Sequence, residues 1–420
     1  MRKIKKKLLQ SIESNTHYEG CTFYLDEKER YDALNCLFSH CSFRSSVNFA
    51  HVEDSKFQNC GFSKNLSLSL KHLKKLPDQI RPLFSDITHL TLHHNIFTEL
   101  PGEIRQLSNL RELVLFNNQL AKLPAEIGQL SYLTKLRLHN NQITELPAEI
   151  GQLSNLRELD LFKNQLRKLP VEIGQLSHLT KLSLHNNQIT ELPAEIGKLS
   201  NLKSLCLASN KLKELPTEIA QLSNLKSLIL ASNKLKELPT EIAQLSNLTE
   251  LNLCSNQFQE FPRVITKLFN LEELDLCSNK FKALPPEITQ LSSLKELELY
   301  NNQLGKFPIE VCQLLKLEEL DIASNEILEL PDKISQLSNL TYLDLNDNHL
   351  ESLPIEIGQL SNLTYLNLDD NHLKKLPTTI SKLTKLVELY LDNNEIEDNT
   401  QKEIKSWLPN CRINPSDSLF

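Results

Sequence analysis

The chain is 420 residues long, with 24% charged residues and a formal net charge of −7 from 46 Lys and Arg against 53 Asp and Glu. That mild acidity argues against a nucleic-acid partner, because phosphate binding rewards a basic surface. No stretch approaches the ~20 apolar residues of a membrane-spanning helix, and the nine Cys, odd in number and scattered, fit a reducing compartment better than a disulfide framework.

The N-terminus, Met1-Arg-Lys-Ile-Lys-Lys-Lys-Leu-Leu-Gln10, has a basic start. The apolar segment of about 7–15 residues that a secretory signal needs does not follow. The expectation is a cytoplasmic chain, or one passed into a host cell by a route other than general secretion. Ile4, Leu8 and Ile12 recur four apart and predict a short helix under this leader. Farther on, Val47, Val52, Phe57 and Phe62 recur every five residues, each with a small residue two places earlier: Ser45, Ala50, Ser55 and Cys60. Phe38 and Phe43, with Cys36 and Cys41, do the same one residue out of phase. This resembles a pentapeptide-repeat β-solenoid stacked end-on; a small α/β unit is the alternative. In either form, 1–63 reads as an N-terminal cap. Cys21, Cys36, Cys41 and Cys60 contain no CxxC pair, so no zinc site is expected there.

From Leu66 a different order begins. Leu66-Ser-Leu68-Ser-Leu70-Lys71 leads to Leu73, Leu76-Pro77 and Ile80, an imperfect first turn of a repeat with Lys71 in a slot that Asn holds afterwards. Asn then recurs at every 23rd position from Asn95 to Asn394, fourteen times. One unit reads Leu156-Arg-Glu-Leu159-Asp-Leu161-Phe-Lys-Asn164-Gln-Leu166-Arg-Lys-Leu169-Pro170-Val-Glu-Ile173. Leu159 and Leu161 alternate at period two, as a short half-buried strand does. Equivalent strands would stack about 4.8 Å apart. The Asn amide has donors and an acceptor for backbone groups of its own turn and the next. Pro follows six residues after each Asn, from Pro101 to Pro377, and suits the first turn of a helix. Glu two residues later, as in Glu126 and Glu172, sits where a helix start favours negative charge. That column reads as solvated and not as catalytic.

This pattern resembles the leucine-rich repeats of the 23-residue LPxEI type, found in bacterial surface and effector proteins and in Ras-suppressor and Scribble-type scaffolds. The resemblance spans about 64–413. It implies an α/β solenoid: a horseshoe with a parallel concave β-sheet, about 15 repeats and a cap at each end, the repeats filling 64–398. It implies a shape and not an activity. After Asn394 the pattern decays to Asn399 and Thr400. Gln401 to Leu408 then predicts an amphipathic helix whose Ile404, Trp407 and Leu408 cover the last layer. Residues 399–420 therefore read as a C-terminal cap and tail.

Within the repeats, only positions around Leu-x-Leu that face out of the sheet are free to carry recognition. In the first five Asn repeats these are modestly basic and hold His93, Phe116, His139, Phe162 and His185. The next two repeats are nearly uncharged. From Asn256 onward the face is acidic, with Tyr among the acids. A solubilising surface is one reading. The other is a site for a protein with a basic surface, centred on Tyr300, Asp321, Tyr342, Asp344, Tyr365, Asp369, Tyr390 and Asp392, since Tyr is favoured in binding hot spots and clustered charge speeds encounter. Asp344, Asp347, Asp369, Asp370 and Asp392 offer oxygens enough for Ca²⁺. Flat strands do not wrap an ion, so no metal or cofactor is expected. Cys254 and Cys277 occupy equivalent places one repeat apart, where a disulfide or metal pair fits; free, partly exposed thiols are the expectation. No GxxxxGK loop or GxSxG elbow appears in the first 63 residues, and only a short cap follows the repeats. The chain is expected to be a binding module or scaffold and not an enzyme, a bacterial effector being one special case. A repeat-bearing ubiquitin ligase and an extracellular adhesion or recognition protein are the alternatives.

Overall fold

From Glu112–Val114 to Glu388–Tyr390 each Leu-x-Leu of the repeat becomes a three-residue strand, as in Glu158–Asp160, because the two leucines point to one side and their neighbours to the other. The computed structural model describes residues 1–26, 29–44, 47–51, 55–58, 60–62, 64–68, 73–74, 87–396 and 398–414. They fall into two units, Met1–Lys211 and Leu212–Phe420.

In the first unit the N-terminal region is a coil of two parallel sheets. Strands Arg2–Lys5, Thr16–Glu19, Leu37–Ser39 and Lys56–Gln58 form one; Leu8–Leu9, Thr22–Phe23, Ser42–Phe43 and Gly61–Phe62 form the other. The helix expected at Ile4, Leu8 and Ile12 is not there. Ile4 pairs with Tyr18 and Leu8 with Thr22, and the Lys3 and Lys5 ammonium groups meet Glu19 at 2.8 and 3.0 Å. Strand pairing and these cross-strand ion pairs override a weak local periodicity. The core between the sheets is aromatic: Tyr18 and Phe38 stack at 5.1 Å, Phe38 and Phe57 at 4.7 Å, Phe23 and Phe43 at 4.7 Å. Cys21, Cys36, Cys41 and Cys60 are buried beside them as free thiols. Of the five-residue register, Val47, Ser55 and Phe57 are buried, and the Ser55 hydroxyl accepts the Cys36 N–H at 2.7 Å. Ser45 and Val52, and the side chains of Ala50 and Phe62, lie outside the described residues.

Strand Lys64–Ser67 joins this region to the repeats, since Leu66 pairs with both Val47 and Leu90. Leu70, Lys71, Leu76, Pro77 and Ile80 lie outside the described residues. Parallel strands then follow at one per repeat from Ile87–Thr91 to Ser204–Cys206. The second unit repeats the arrangement from Ser227–Ile229 to Glu388–Tyr390 and ends on Arg412–Ile413, which pairs with the last of these. Register is strict: each strand leucine meets the next, as Leu159 meets Leu182. Opposite the strands, each repeat Pro from Pro101 to Pro377 caps a five-residue 3-10 helix such as Val171–Gln175. Ile173 N–H donates to Pro170 O and Leu176 N–H to Ile173 O, at 3.1 and 3.2 Å. These tight turns replace the longer helical start that Pro suggested, because Leu176 must return to the core within two turns.

The Asn ladder seals the corner. Asn164 Nδ2 donates to Leu138 O at 3.0 Å and Leu161 O at 2.9 Å, and its Oδ1 accepts Ile143 N–H at 3.0 Å. The same three bonds recur down the column, satisfying backbone groups that water does not reach. The residue before each Asn is left-handed, as in Asn117 (φ 55°), Ser255 (φ 54°) and Asp347 (φ 51°). That explains why Asn and Asp recur at a position the repeat pattern leaves blank. At the end of the second unit, helix Asp398–Trp407 places Ile404 fully inside, with Leu408 behind it. Trp407 is half-buried, and 415–420 lie outside the described residues. No helix among the described residues is long and apolar enough to cross a membrane.

Candidate binding face

The second unit carries a column of side chains between its paired leucines: Asn252, Asp275, Glu298, Asp321, Asp344, Asn367 and Tyr390, in strict register. Four successive members are carboxylates on strands about 4.8 Å apart. Most hold one oxygen against the backbone two residues on. Asp275 accepts Cys277 N–H at 3.0 Å, Asp321 accepts Ala323 N–H at 2.9 Å, and Asp344 accepts Asn346 N–H at 2.9 Å. At either end an amide donates inward: Asn252 to Asp275 at 2.6 Å, Asn367 to Asp344 at 3.1 Å. Next to this column runs Glu250, Glu273, Glu296 and Glu319. Burial, reinforced by Asp344 and Asp275, pushes Asp321 up to about 6. Burial with the charges of Asp392, Asp370 and Asp344 does the same to Asp369. Like charges on adjacent strands disfavour one another, and nothing in the repeat requires them.

Three tyrosines close one end of the column. Tyr342 and Tyr365 stack at 4.4 Å with planes 9° apart, and Tyr365 meets Tyr390 at 5.3 Å. Tyr342 Oη donates to Asp344 Oδ2 at 3.3 Å. Burial, then the Asp344 charge, raises both Tyr342 and Tyr365, the latter to about 12. Asp392 is exposed, and its N–H donates to Asp369 at 2.6 Å. Tyr342, Asp344, Tyr365, Asp369, Tyr390 and Asp392 are thus brought together, with Asp321 one strand away. Tyr300 is not part of the stack; it stands beside Asp275, Glu298 and Asp321, which raise its hydroxyl after burial does. Asp344, expected to point freely outward, is only 8% exposed. The Tyr342 and Tyr365 rings take the accessible surface, and its oxygens are committed to Asn346, Asn367 and Tyr342.

Cys254 and Cys277 depart from expectation in a different way: they are joined by a disulfide. Equivalent positions two residues past neighbouring parallel strands put their Cα atoms 4.5 Å apart, within bridging reach.

The first unit presents another pattern on the same side of its sheet. His93, Phe116, His139, Phe162 and His185 stack face to face at 4.3–4.5 Å with planes 6–11° apart. Burial holds all three imidazoles below their ordinary range, His93 at about 4. Lys135 pairs with Glu158 across strands at 3.0 Å, and the His139 imidazole lies 3.1 Å from Asp160. In the second unit's acidic face the carboxylates outnumber their partners, Lys295 holding Glu272 at 2.7 Å. The 23-residue recurrence of alternating His and Phe was visible in the sequence; that the rings form one continuous stack was not.

Comparison with known proteins places the chain. The family described as "leucine-rich repeat region" matches residues 128–207, 195–283 and 331–407, and "leucine rich repeat" matches 269–327. A leucine-rich-repeat protein of Leptospira interrogans is 45% identical, with 84% of this chain and 95% of that one covered at a TM-score of 0.79. The chain belongs to the leucine-rich-repeat family. Among further structures similar to it, the functional domain of InlJ from Listeria monocytogenes, which includes a cysteine ladder, is 26% identical (TM-score 0.66, covering 81% of this chain and 71% of that one). A plant peptide hormone receptor in complex with RGF2 is 25% identical (TM-score 0.59, covering 97% and 74%). No curated protein matches the chain. The leucine-rich-repeat fold is in general a protein-interaction framework, so the Leu, Asn and Pro columns here supply the scaffold, and chemistry specific to this chain lies in the outward columns.

Proposed function

We propose that this chain is a binding protein whose second unit grips a protein with a basic surface. The carrying observation is the run of Asp275, Glu298, Asp321 and Asp344 in consecutive strands, where burial, with the charges of Asp344 and Asp275 added to it, lifts Asp321 to about 6. Such crowding costs stability in the free protein, and a cationic partner relieves it. The stacked Tyr342 and Tyr365, with Tyr390 against them, supply the rigid aromatic surface that anchors an interface. The similarity to a plant peptide hormone receptor in complex with RGF2 supports a peptide-reading role for such a surface. An effector acting in a host cell is one setting for this chemistry.

The test is an array of Lys/Arg-rich peptides beside charge-inverted versions, probed with the full chain at low and high salt. Basic peptides are expected to be retained and released by salt. Glu273→Lys with Glu319→Lys, both exposed, should abolish retention. Equal retention by wild type and variant, insensitive to salt, would sink the reading.

A further inference from the structure

Cys254, Asp275 and Cys277 place two sulfurs and a carboxylate oxygen within 4.8 Å of one another. Among the described residues this is the one such grouping of His, Cys, Asp or Glu. Its setting differs from that of the remaining cysteines. Cys312 is buried and Cys206 lies against His185 at 3.5 Å. The Asp275 carboxylate is held on both sides, by Cys277 N–H at 3.0 Å and Asn252 Nδ2 at 2.6 Å. A carboxylate has lone pairs beyond those two bonds, and such outer hydrogen bonds orient metal-binding groups. Cys254 is half-buried, which leaves the group reachable from solvent. Glu250, Glu273 and Glu298 stand on the same and neighbouring strands and attract a cation to it.

We propose that reduction of the Cys254–Cys277 disulfide turns it into a binding site for a thiophilic divalent cation such as Zn²⁺, with both sulfurs and Asp275 as ligands. The inference rests on the geometry of these three residues and stands or falls apart from partner binding. Reduction by a dithiol transfers two hydrogens to the two sulfurs and leaves the reductant as a cyclic disulfide. Cation binding then displaces both thiol protons to solvent. A tetrahedral Zn²⁺ with Zn–S bonds of about 2.3 Å needs its ligand atoms roughly 3.7 Å apart, which these three approach once the sulfurs separate. Water would supply the fourth ligand, entering from the side of half-buried Cys254, since Cys277 is buried. Oxidised, the sulfurs are bonded to each other and the site is closed, so cation binding is coupled to redox state.

The experiment uses the full chain, reduced with dithiothreitol, desalted without oxygen and titrated with Co²⁺ as a spectroscopic stand-in for Zn²⁺. Binding of one Co²⁺ with a thiolate-to-metal charge-transfer band, reversed by Zn²⁺, is expected. The oxidised chain should give no band. Cys254→Ser should abolish it, Asp275→Asn should weaken binding at least tenfold, and Cys206→Ser should leave it unchanged. Circular dichroism of each variant reports folding, and Cys277→Ser repeats the test at the second sulfur. No thiolate band in the reduced wild type, or a band that persists in both Cys254→Ser and Cys277→Ser, would overturn the proposal.

Discussion

Replacing Asp321 by Asn should make the protein more stable at neutral pH. The amide oxygen preserves the bond from Ala323 N–H, as Asn252 and Asn367 do at equivalent positions for Cys254 and Asp369, at 3.0 and 3.1 Å. What disappears is a carboxylate that burial and its neighbours Asp344 and Asp275 lift from 3.8 to about 6. Because the folded value lies above the unfolded one, the contribution of Asp321 to stability is full below about pH 3.8 and is lost as pH rises through about 6. The displacement sets an upper bound of about 3 kcal/mol. Partial solvent contact and sharing of the repulsion among several carboxylates reduce the expected gain to about 1–2 kcal/mol at pH 7.5. Urea unfolding of wild type and Asp321→Asn at pH 7.5 and pH 4.5 measures it. The variant should have the higher midpoint at pH 7.5, and most of the difference should vanish at pH 4.5. A variant that is equal or less stable at pH 7.5 would refute the claim that this column is electrostatically strained.

Three further outcomes follow from the same structure. Tyr365→Ala, which removes the middle ring of the Tyr342–Tyr365–Tyr390 cluster, should weaken binding of a basic partner by roughly 30-fold, the scale of a hot-spot residue; titration calorimetry against an array-selected peptide measures it. Asn164→Ala leaves Leu138 O, Leu161 O and Ile143 N–H without their partner and should cost about 3 kcal/mol or more in urea unfolding, whereas Asn155→Ala, which loses one exposed bond to Ser131 O, should cost under about 1 kcal/mol. Burial and His94 hold His93 at about 4, below its unfolded value, so its contribution is full above about pH 6.5 and lost as pH falls toward 4. Thermal melts should therefore show His93→Phe less sensitive than wild type to acidification between pH 6.5 and 4, by on the order of 1–2 kcal/mol after allowing for partial exposure.

The framework was legible because its causes are local and repeated. Leu159 and Leu161 alternate at the period of a strand, Asn164 carries the donors and acceptor the corner needs, and Pro170 fixes the turn behind it. The same chemistry recurs every 23 residues, so one unit explains the others. What the sequence left hidden depends on how neighbours in a column share space. Ile4 and Leu8 have helical spacing, yet Thr16–Glu19 and Thr22–Phe23 return alongside and pair with them. Cys254 and Cys277 stand 23 residues apart, so the sequence puts them within bridging reach, but free and bonded thiols read alike there, and only the structure shows the bond.

Asp344 illustrates the same limit at the candidate site. Its place between Leu343 and Leu345 directs it outward, but the sizes of Tyr342 and Tyr365 determine that it is covered. This shifts the chemistry of the face. Asp344 acts as a support that receives Asn367 and Tyr342, while Glu273 and Glu319 stand exposed, where under the proposed function a basic partner would meet them first. On the proposed function, a carboxylate beneath two aromatic rings has a role that a merely solubilising surface would not give it: rings fixed in place lose little freedom when a partner docks on them.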